Sequence, residues 1–281
     1  MAKIITKTSA GSSFGNIKGG TMKRFTVWSD VLQAEKTFIA YFPLDYDNEP
    51  ARRYPAMYFF HAAGSSDETW ARIMQLQSAA DDSVRSGMAL PMIIIVPDAS
   101  GSDERKLGKR LGYFTVPGWD YERYFHTELI PLVDAELRTI ADKRHRVIAG
   151  ASMGGEAAVA YAQKYPEFYG AAAALCGIVG KPEQSTLTST DKDYAQSLIA
   201  NNPSLFVKNA TPAQVEALKS IRWYADCGDN DFFIEGNFEF VLNMRSRGIP
   251  IQFRMRSGVH GFYYWITGLA PIFRFFSNGF A

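Results

Sequence analysis

From residue 56 to the C-terminus, short unbroken apolar runs alternate with longer amphipathic stretches, and this rhythm limits the fold more than any other property of the chain. The apolar runs are Ala56–Phe60, Met92–Val96, Arg146–Ala149, Ala171–Leu175, Arg222–Ala225 and Ile251–Met255. Helical periodicity covers Glu122–Arg138, Gly154–Lys164, Phe232–Arg247 and Tyr263–Phe276, with a weaker pattern near Thr69–Arg85. Runs that are solidly apolar suit strands buried on both faces, and strand–helix alternation predicts βαβ units. The expectation is an α/β fold, a mostly parallel central sheet of about eight strands with helices on both faces. Two earlier runs, Phe25–Trp28 and Thr37–Phe42, are separated only by the turn-rich Ser29–Lys36 and predict an antiparallel N-terminal edge. Residues 1–20, rich in Gly, Ser and Lys, predict a loose leader, and residues 21–281 a single domain. The segment Gly180–Ser220 breaks the rhythm, and an insertion of that length predicts a cap beside a site or a decorated surface loop.

Composition excludes several classes of function. Thirty Lys+Arg against 29 Asp+Glu leave a net charge of +1, too balanced to hold a polyphosphate backbone, so no nucleic-acid partner is expected. The longest apolar run, Met88 to Pro97, is far short of the ~20 residues a bilayer requires, so no membrane partner is expected either. The N-terminal MAKIITKTSAGSSFG lacks the apolar core of a secretory signal. The two cysteines, Cys176 and Cys227, lack zinc-ligand spacing, and their apolar contexts predict buried free thiols. No metal and no organic cofactor is expected. The 20 Phe, 14 Tyr and 5 Trp exceed what a core must have and are consistent with an aromatic-lined cleft, while any one of them is more simply read as part of an aromatic core.

Gly-x-Ser-x-Gly occurs twice. Gly11-Ser12-Ser13-Phe14-Gly15 lies in the leader, with neither a strand before it nor a helix after it, and reads as coincidence. Gly150-Ala151-Ser152-Met153-Gly154 follows an apolar run and opens a helical pattern, the strand–turn–helix context of a nucleophile elbow. Such a turn lifts the serine hydroxyl clear of the sheet, and the Met153 N–H at the helix start can face an oxyanion. A serine needs a base. Of His61, His126, His145 and His260, only His260 lies downstream of Ser152, in the glycine-flanked loop Ser257–Phe262, as the order Ser…Asp/Glu…His requires. Between them, Asp226, Asp229 and Asp231 all qualify as the orienting acid, Asp231 competing with a role as helix N-cap.

Four motifs in order, Pro55–Gly64 with its His61-Ala62-Ala63-Gly64 turn, Gly-Ala-Ser152-Met-Gly-Gly, Cys227-Gly-Asp-Asn-Asp231 and Gly258-Val-His260-Gly-Phe262, together resemble the esterase D / feruloyl esterase group. That group includes the carbohydrate esterases of family 1 and lies within the α/β-hydrolases. The resemblance runs from about residue 20 to the C-terminus and implies an α/β-hydrolase fold. It selects Asp231 as the acid and implies the Ala63 N–H as second oxyanion donor. Here the chain departs from the family, because Ala62 stands where glycine is usual; a positive φ there would strain an alanine.

The roles predict an acyl-enzyme mechanism: Ser152 attacks, His260 carries the proton, Asp231 orients it, and the Met153 and Ala63 amides hold the oxyanion. Trp119 and Tyr113, on a segment following a strand, and Phe262 and Trp265, just after the base, are the predicted substrate-binding aromatics. The resemblance implies feruloyl or acetyl esters of plant cell-wall xylan, with an ester-decorated oligosaccharide or a small aromatic ester as partner, and a secreted or periplasmic setting. Acyl transfer, S-formylglutathione hydrolysis and non-catalytic carbohydrate binding are the alternative functions.

Overall fold

The computed structural model describes residues 3–9, 19–99, 112–181 and 191–280. The Gly11–Gly15 motif and part of the Gly180–Ser220 insertion lie outside them. One nine-stranded sheet runs through the molecule: β1 (Lys3–Ser9), β2 (Thr21–Ser29), β3 (Ala34–Phe42), β4 (Ala56–Phe60), β5 (Ile93–Pro97), β6 (Arg146–Ala151), β7 (Ala171–Leu175), β8 (Arg222–Gly228) and β9 (Ile251–Arg256). Their spatial order is β1-β2-β3-β5-β4-β6-β7-β8-β9. The β1–β2, β2–β3 and β3–β5 pairs are antiparallel; every pair from β5 to β9 is parallel. This is the α/β-hydrolase architecture with its antiparallel N-terminal edge.

One expectation fails at the start of the chain. Residues 3–9 are not a loose leader but a strand on the sheet's edge, with Ile4↔Val27 and Lys7↔Phe25 in register. The Ile4-Ile5-Thr6 triplet is β-branched and Ile4 packs on the core, while the lysines and serines that suggested looseness face solvent.

Every residue of β4, β5, β6 and β7 is buried. Alternate residues feed two cores: in β3, Phe38, Ala40 and Phe42 enter one, Ile39 and Tyr41 the other. Helices Asp67–Ile73, Leu76–Arg85 and Phe262–Ser277 cover the second core, whereas Met153–Lys164 and the long helical segment from Tyr121 to Glu136 cover the first. The predicted Thr69–Arg85 helix is two helices, broken at Gln75, whose φ is 49°. Over Glu122–Arg138 the predicted single helix contains a π turn, Phe125–Leu129, followed by Pro131, which has no N–H to continue the α ladder.

The inserted segment carries three helices among its described residues: Lys192–Ala200, Pro203–Asn209 and Pro212–Lys219. Asp191, Asn202 and Thr211 cap them, and proline opens the last two. The buried Asn202 also donates to the Gly180 carbonyl at 2.7 Å, tying the segment to the exit of β7.

Sheet order decides where chemistry can sit. The chain leaves β4 for β5 on one side and returns to β6 on the other, so the strand order reverses at β4. In open α/β sheets the crevice beyond the carboxyl ends at such a reversal is where ligands bind. Phe60↔Gly150, Ala151↔Leu175 and Gly228↔Arg256 bring those ends onto one rim.

Candidate active site

At the end of β6 the backbone turns sharply at Ser152 (φ 55°, ψ −122°), a left-handed conformation held by its N–H donating to the Leu175 carbonyl at 2.9 Å. The turn is tight enough to need its glycines. A Cβ on Gly150 would lie 2.2 Å from the Gly154 oxygen, and one on Gly154 would lie 2.5 Å from the Phe60 oxygen. Met153 then opens the helix, so its N–H has no intrahelical acceptor.

Residues far apart in sequence meet above this turn. His260 Nε2 lies 3.0 Å from Ser152 Oγ, and His260 Nδ1 lies 2.7 Å from Asp231 Oδ2. The other Asp231 oxygen accepts the Phe233 N–H at 2.8 Å, so the carboxylate serves the loop and the imidazole at once. The helix begins only at Ile234. Burial works against the imidazolium, but the hydrogen bond it donates to Asp231 and an interaction with Cys176 outweigh it and push His260 up to about 9. Burial likewise opposes ionisation of Asp231, yet the His260, Cys176 and Phe233 contacts hold its carboxyl below the ordinary range.

The other two aspartates have separate partners. Asp226, wholly buried, accepts from Arg256 Nε at 3.0 Å, from Tyr224 Oη at 3.0 Å and from Tyr264 Oη. Asp229 accepts the Gly258 N–H at 2.9 Å and so ties down the loop that carries His260. The remaining histidines are occupied elsewhere. His126 is buried against the Glu122 carbonyl and Tyr169, and desolvation lowers it to about 4. His145 pairs with Asp142. His61 is buried at the end of β4, its Nε2 accepting the Ala99 N–H at 3.0 Å and its Nδ1 2.9 Å from the Ala62 oxygen. Ala62 has no positive φ; the left-handed residue of that turn is Gly64, at 74°. Alanine in place of glycine therefore adds no strain there. Ala63 follows at the exposed tip of the turn.

The predicted substrate aromatics divide. Phe262 is on the surface, 36% exposed. Tyr113 and Trp119 are corrections, at 1% and 2% exposure. Tyr113 stacks on Phe60 and bonds through its hydroxyl to the His61 backbone at 2.7 Å; Trp119 donates to the Gly112 carbonyl at 3.0 Å. Tyr113 thereby braces the end of β4, while the little of Trp119 that is open lines a cavity with Val31, Leu32 and Val116 that includes none of Ser152, Asp231 and His260. Trp265 is also buried, standing edge-on to the His260 ring at 5.0 Å, because it sits on the core-facing side of its amphipathic helix. A residue not singled out from sequence takes the open position. Phe232, 65% exposed, lies 4.4 Å from the His260 ring, and its only sequence signal is its place directly after Asp231. Val259, Phe262 and Tyr263, neighbours of His260 in sequence, are exposed as well. The insertion reaches the site too: Tyr194 and the Met153 side chain both abut Gly112.

Comparisons with known proteins agree with this architecture. Residues 29–276 match the Esterase family model. An endo-1,4-beta-xylanase/feruloyl esterase of Xylanibacter ruminicola is 29% identical over 172 residues, 60% of this chain and 23% of that protein. The chain thus spans about a quarter of the curated relative's length. A solved ferulic acid esterase superposes with a TM-score of 0.87 at 32% identity, covering 93% of this chain and 99% of that one. An S-formylglutathione hydrolase from Agrobacterium tumefaciens shares the fold, with a TM-score of 0.71 at 19% identity over 99% of both chains. Among the described residues, no helix is long and apolar enough to cross a membrane.

Proposed function

The chain belongs to the Esterase family, and from that premise we propose that it hydrolyses feruloyl and related hydroxycinnamoyl esters of plant cell-wall xylan through a serine acyl-enzyme. The observation that carries this reading is the continuous hydrogen-bonded relay Ser152–His260–Asp231. His260 Nε2 takes the Ser152 proton as Oγ attacks the ester carbonyl, while Asp231 holds the ring and balances the imidazolium. The Met153 and Ala63 N–H groups receive the oxyanion, His260 returns its proton to the departing sugar hydroxyl, and water repeats the sequence to free the acid. The chemistry needs no cofactor.

Support for an aromatic acyl group comes from two directions. The relative and the solved structure reported above are named for feruloyl and ferulic acid esters. The exposed apolar side chains of Phe232, Val259, Phe262 and Tyr263 give a planar ring a surface to lie on, which an acetyl group would not use. Action on an insoluble polymer places the enzyme outside the cytoplasm.

Two measurements test the reading. Ser152→Ala lowers turnover on the order of 10⁴-fold while the fold is retained, and undiminished hydrolysis by that variant rejects the assignment. On a panel of methyl ferulate, acetylated xylan, S-formylglutathione and short p-nitrophenyl esters, methyl ferulate gives the highest kcat/KM. Faster turnover of acetylated xylan or of the thioester would overturn the acyl-group assignment and leave the nucleophile standing.

A further inference from the structure

Beneath the relay lies a group that the mechanism above does not use. Cys176 follows β7 directly, and its φ of 46° is a left-handed value that a non-glycine residue rarely adopts. The departure from strand geometry has a purpose visible in what it brings together. The Cys176 thiol, the Cys227 thiol and an Asp231 carboxylate oxygen lie within 4.8 Å of one another, and all three residues are buried. Neighbouring register, with Leu175 opposite Asp226, sets the two cysteines side by side on adjacent strands. The Cys176 N–H donates to the Asp226 carbonyl at 2.7 Å, pinning the strained residue in place.

Two uses of a thiol are open here, and burial decides between them. A redox-active or nucleophilic cysteine needs exposure and thiolate character. Cys176 has neither, since its contact with Cys227 and its burial both drive the thiol well above its usual range. A thiol kept protonated is a hydrogen-bond donor, and the acceptor beside it is the Asp231 carboxylate.

We propose that Cys176 is a positioning residue for the Asp231–His260 pair, its S–H donating to the Asp231 carboxylate that holds the imidazole. The role rests on the serine-hydrolase reading of that pair. The titratable groups facing the imidazole are Asp231, Cys176 and Ser152, with the rings of Phe232, Phe233 and Trp265 closing the remaining sides. Asp226 behind them is already matched to Arg256. Without the thiol, Asp231 loses a donor that favours its anion, and the imidazole loses part of the support for its cation.

Three variants read by two methods test this. The methods are titration of the His260 imidazole by proton NMR, which needs no turnover, and steady-state kinetics on methyl ferulate. Cys176→Ser keeps a donor and is expected to retain the wild-type titration and kcat. Cys176→Ala is expected to shift the titration to lower pH by about half a unit or more, and to lower kcat about tenfold with KM unchanged when both are read on the alkaline plateau, where the imidazole is neutral in every variant. Cys176→Gly removes the thiol yet suits a left-handed backbone, so it folds even where alanine does not, and is expected to share the alanine defect. An alanine variant with wild-type titration and kcat overturns the proposal. So does a glycine variant with wild-type kcat, which would assign the effect to backbone strain. Failure of the hydrolase reading is distinguishable, because it would show as activity retained by Ser152→Ala whatever the His260 titration does.

Discussion

Ser152 and His260 are each held where an isolated side chain would not stay, the serine on a left-handed backbone and the imidazole between two counter-groups and three rings. Folding raises the proton affinity of His260 from 6.5 to about 9. If it acts as the general base it must be neutral, so kcat/KM on a non-ionising ester is expected to climb with pH, reach half its plateau near pH 9 and level off only above that. A plateau already complete at pH 6.5 would contradict this. Stability follows the opposite trend. A raised histidine stabilises the fold fully below its unfolded value of 6.5 and loses that contribution as pH rises through about 9. Asp231, lowered from 3.8, contributes above 3.8 and loses its contribution as pH falls through its folded value. The pair therefore steadies the protein most between about pH 3.8 and 6.5, where catalysis is slow, a separation that thermal melts across pH would reveal. Ser152 and His260 were legible in the sequence because elbow context and chain order each leave one choice. The acid was legible only through the resemblance: spacing left Asp226, Asp229 and Asp231 open, the Cys-Gly-x-x-Asp pattern pointed to Asp231, and packing pairs one with Arg256, one with the Gly258 amide and one with the imidazole. Tyr113 and Trp119 misled because aromatic identity does not tell which side of a loop faces inward.

Elements were easier to read than side chains where a period was present, and harder where a connection did the work. Ala56–Phe60 and Ala171–Leu175 match their predicted bounds, since unbroken apolar runs between turn residues allow little else. The three helices of the insertion were missed despite the Asn202-Pro203 and Thr211-Pro212 start signals, because their apolar faces are short and their length falls below what periodicity detects. The elbow is the element with least tolerance. A Cβ at Gly154 would meet the main-chain oxygens of Phe60 at 2.5 Å and His61 at 2.6 Å, backbone atoms that cannot swing aside. Gly154→Ala is therefore expected to cost several kcal/mol, roughly the overpacking range or above, and to lower activity with it. A melting temperature and kcat within error of wild type would show that β4 and the Met153–Lys164 helix can part without loss.

At the scale of the whole molecule, the sheet separates holding from doing. All proposed catalytic groups hang from the rim between β4 and β9, while β1 is at the other end of the strand order. Deleting residues 1–9 is expected to lower thermal stability and leave kcat/KM within about twofold, since β1 shares its ladder with β2 alone. A tenfold loss of activity would mean that the edge communicates with the rim. The sheet's architecture was legible from alternation alone. Strand β1 was not, because an edge strand with nearly every residue exposed looks like unstructured sequence.

The opposite border has a different standing. Strand β9 is flanked on one side by β8 and on the other by nothing among the described residues, and the loop bearing His260 springs directly from its end. Whatever grips that border, be it a resin, a fused partner or another copy stacking edge to edge, also takes hold of the proposed proton carrier. Tethering the protein to a support thus belongs at the β1 end, where the anchor and the proposed working parts are as far apart as the ribbon allows.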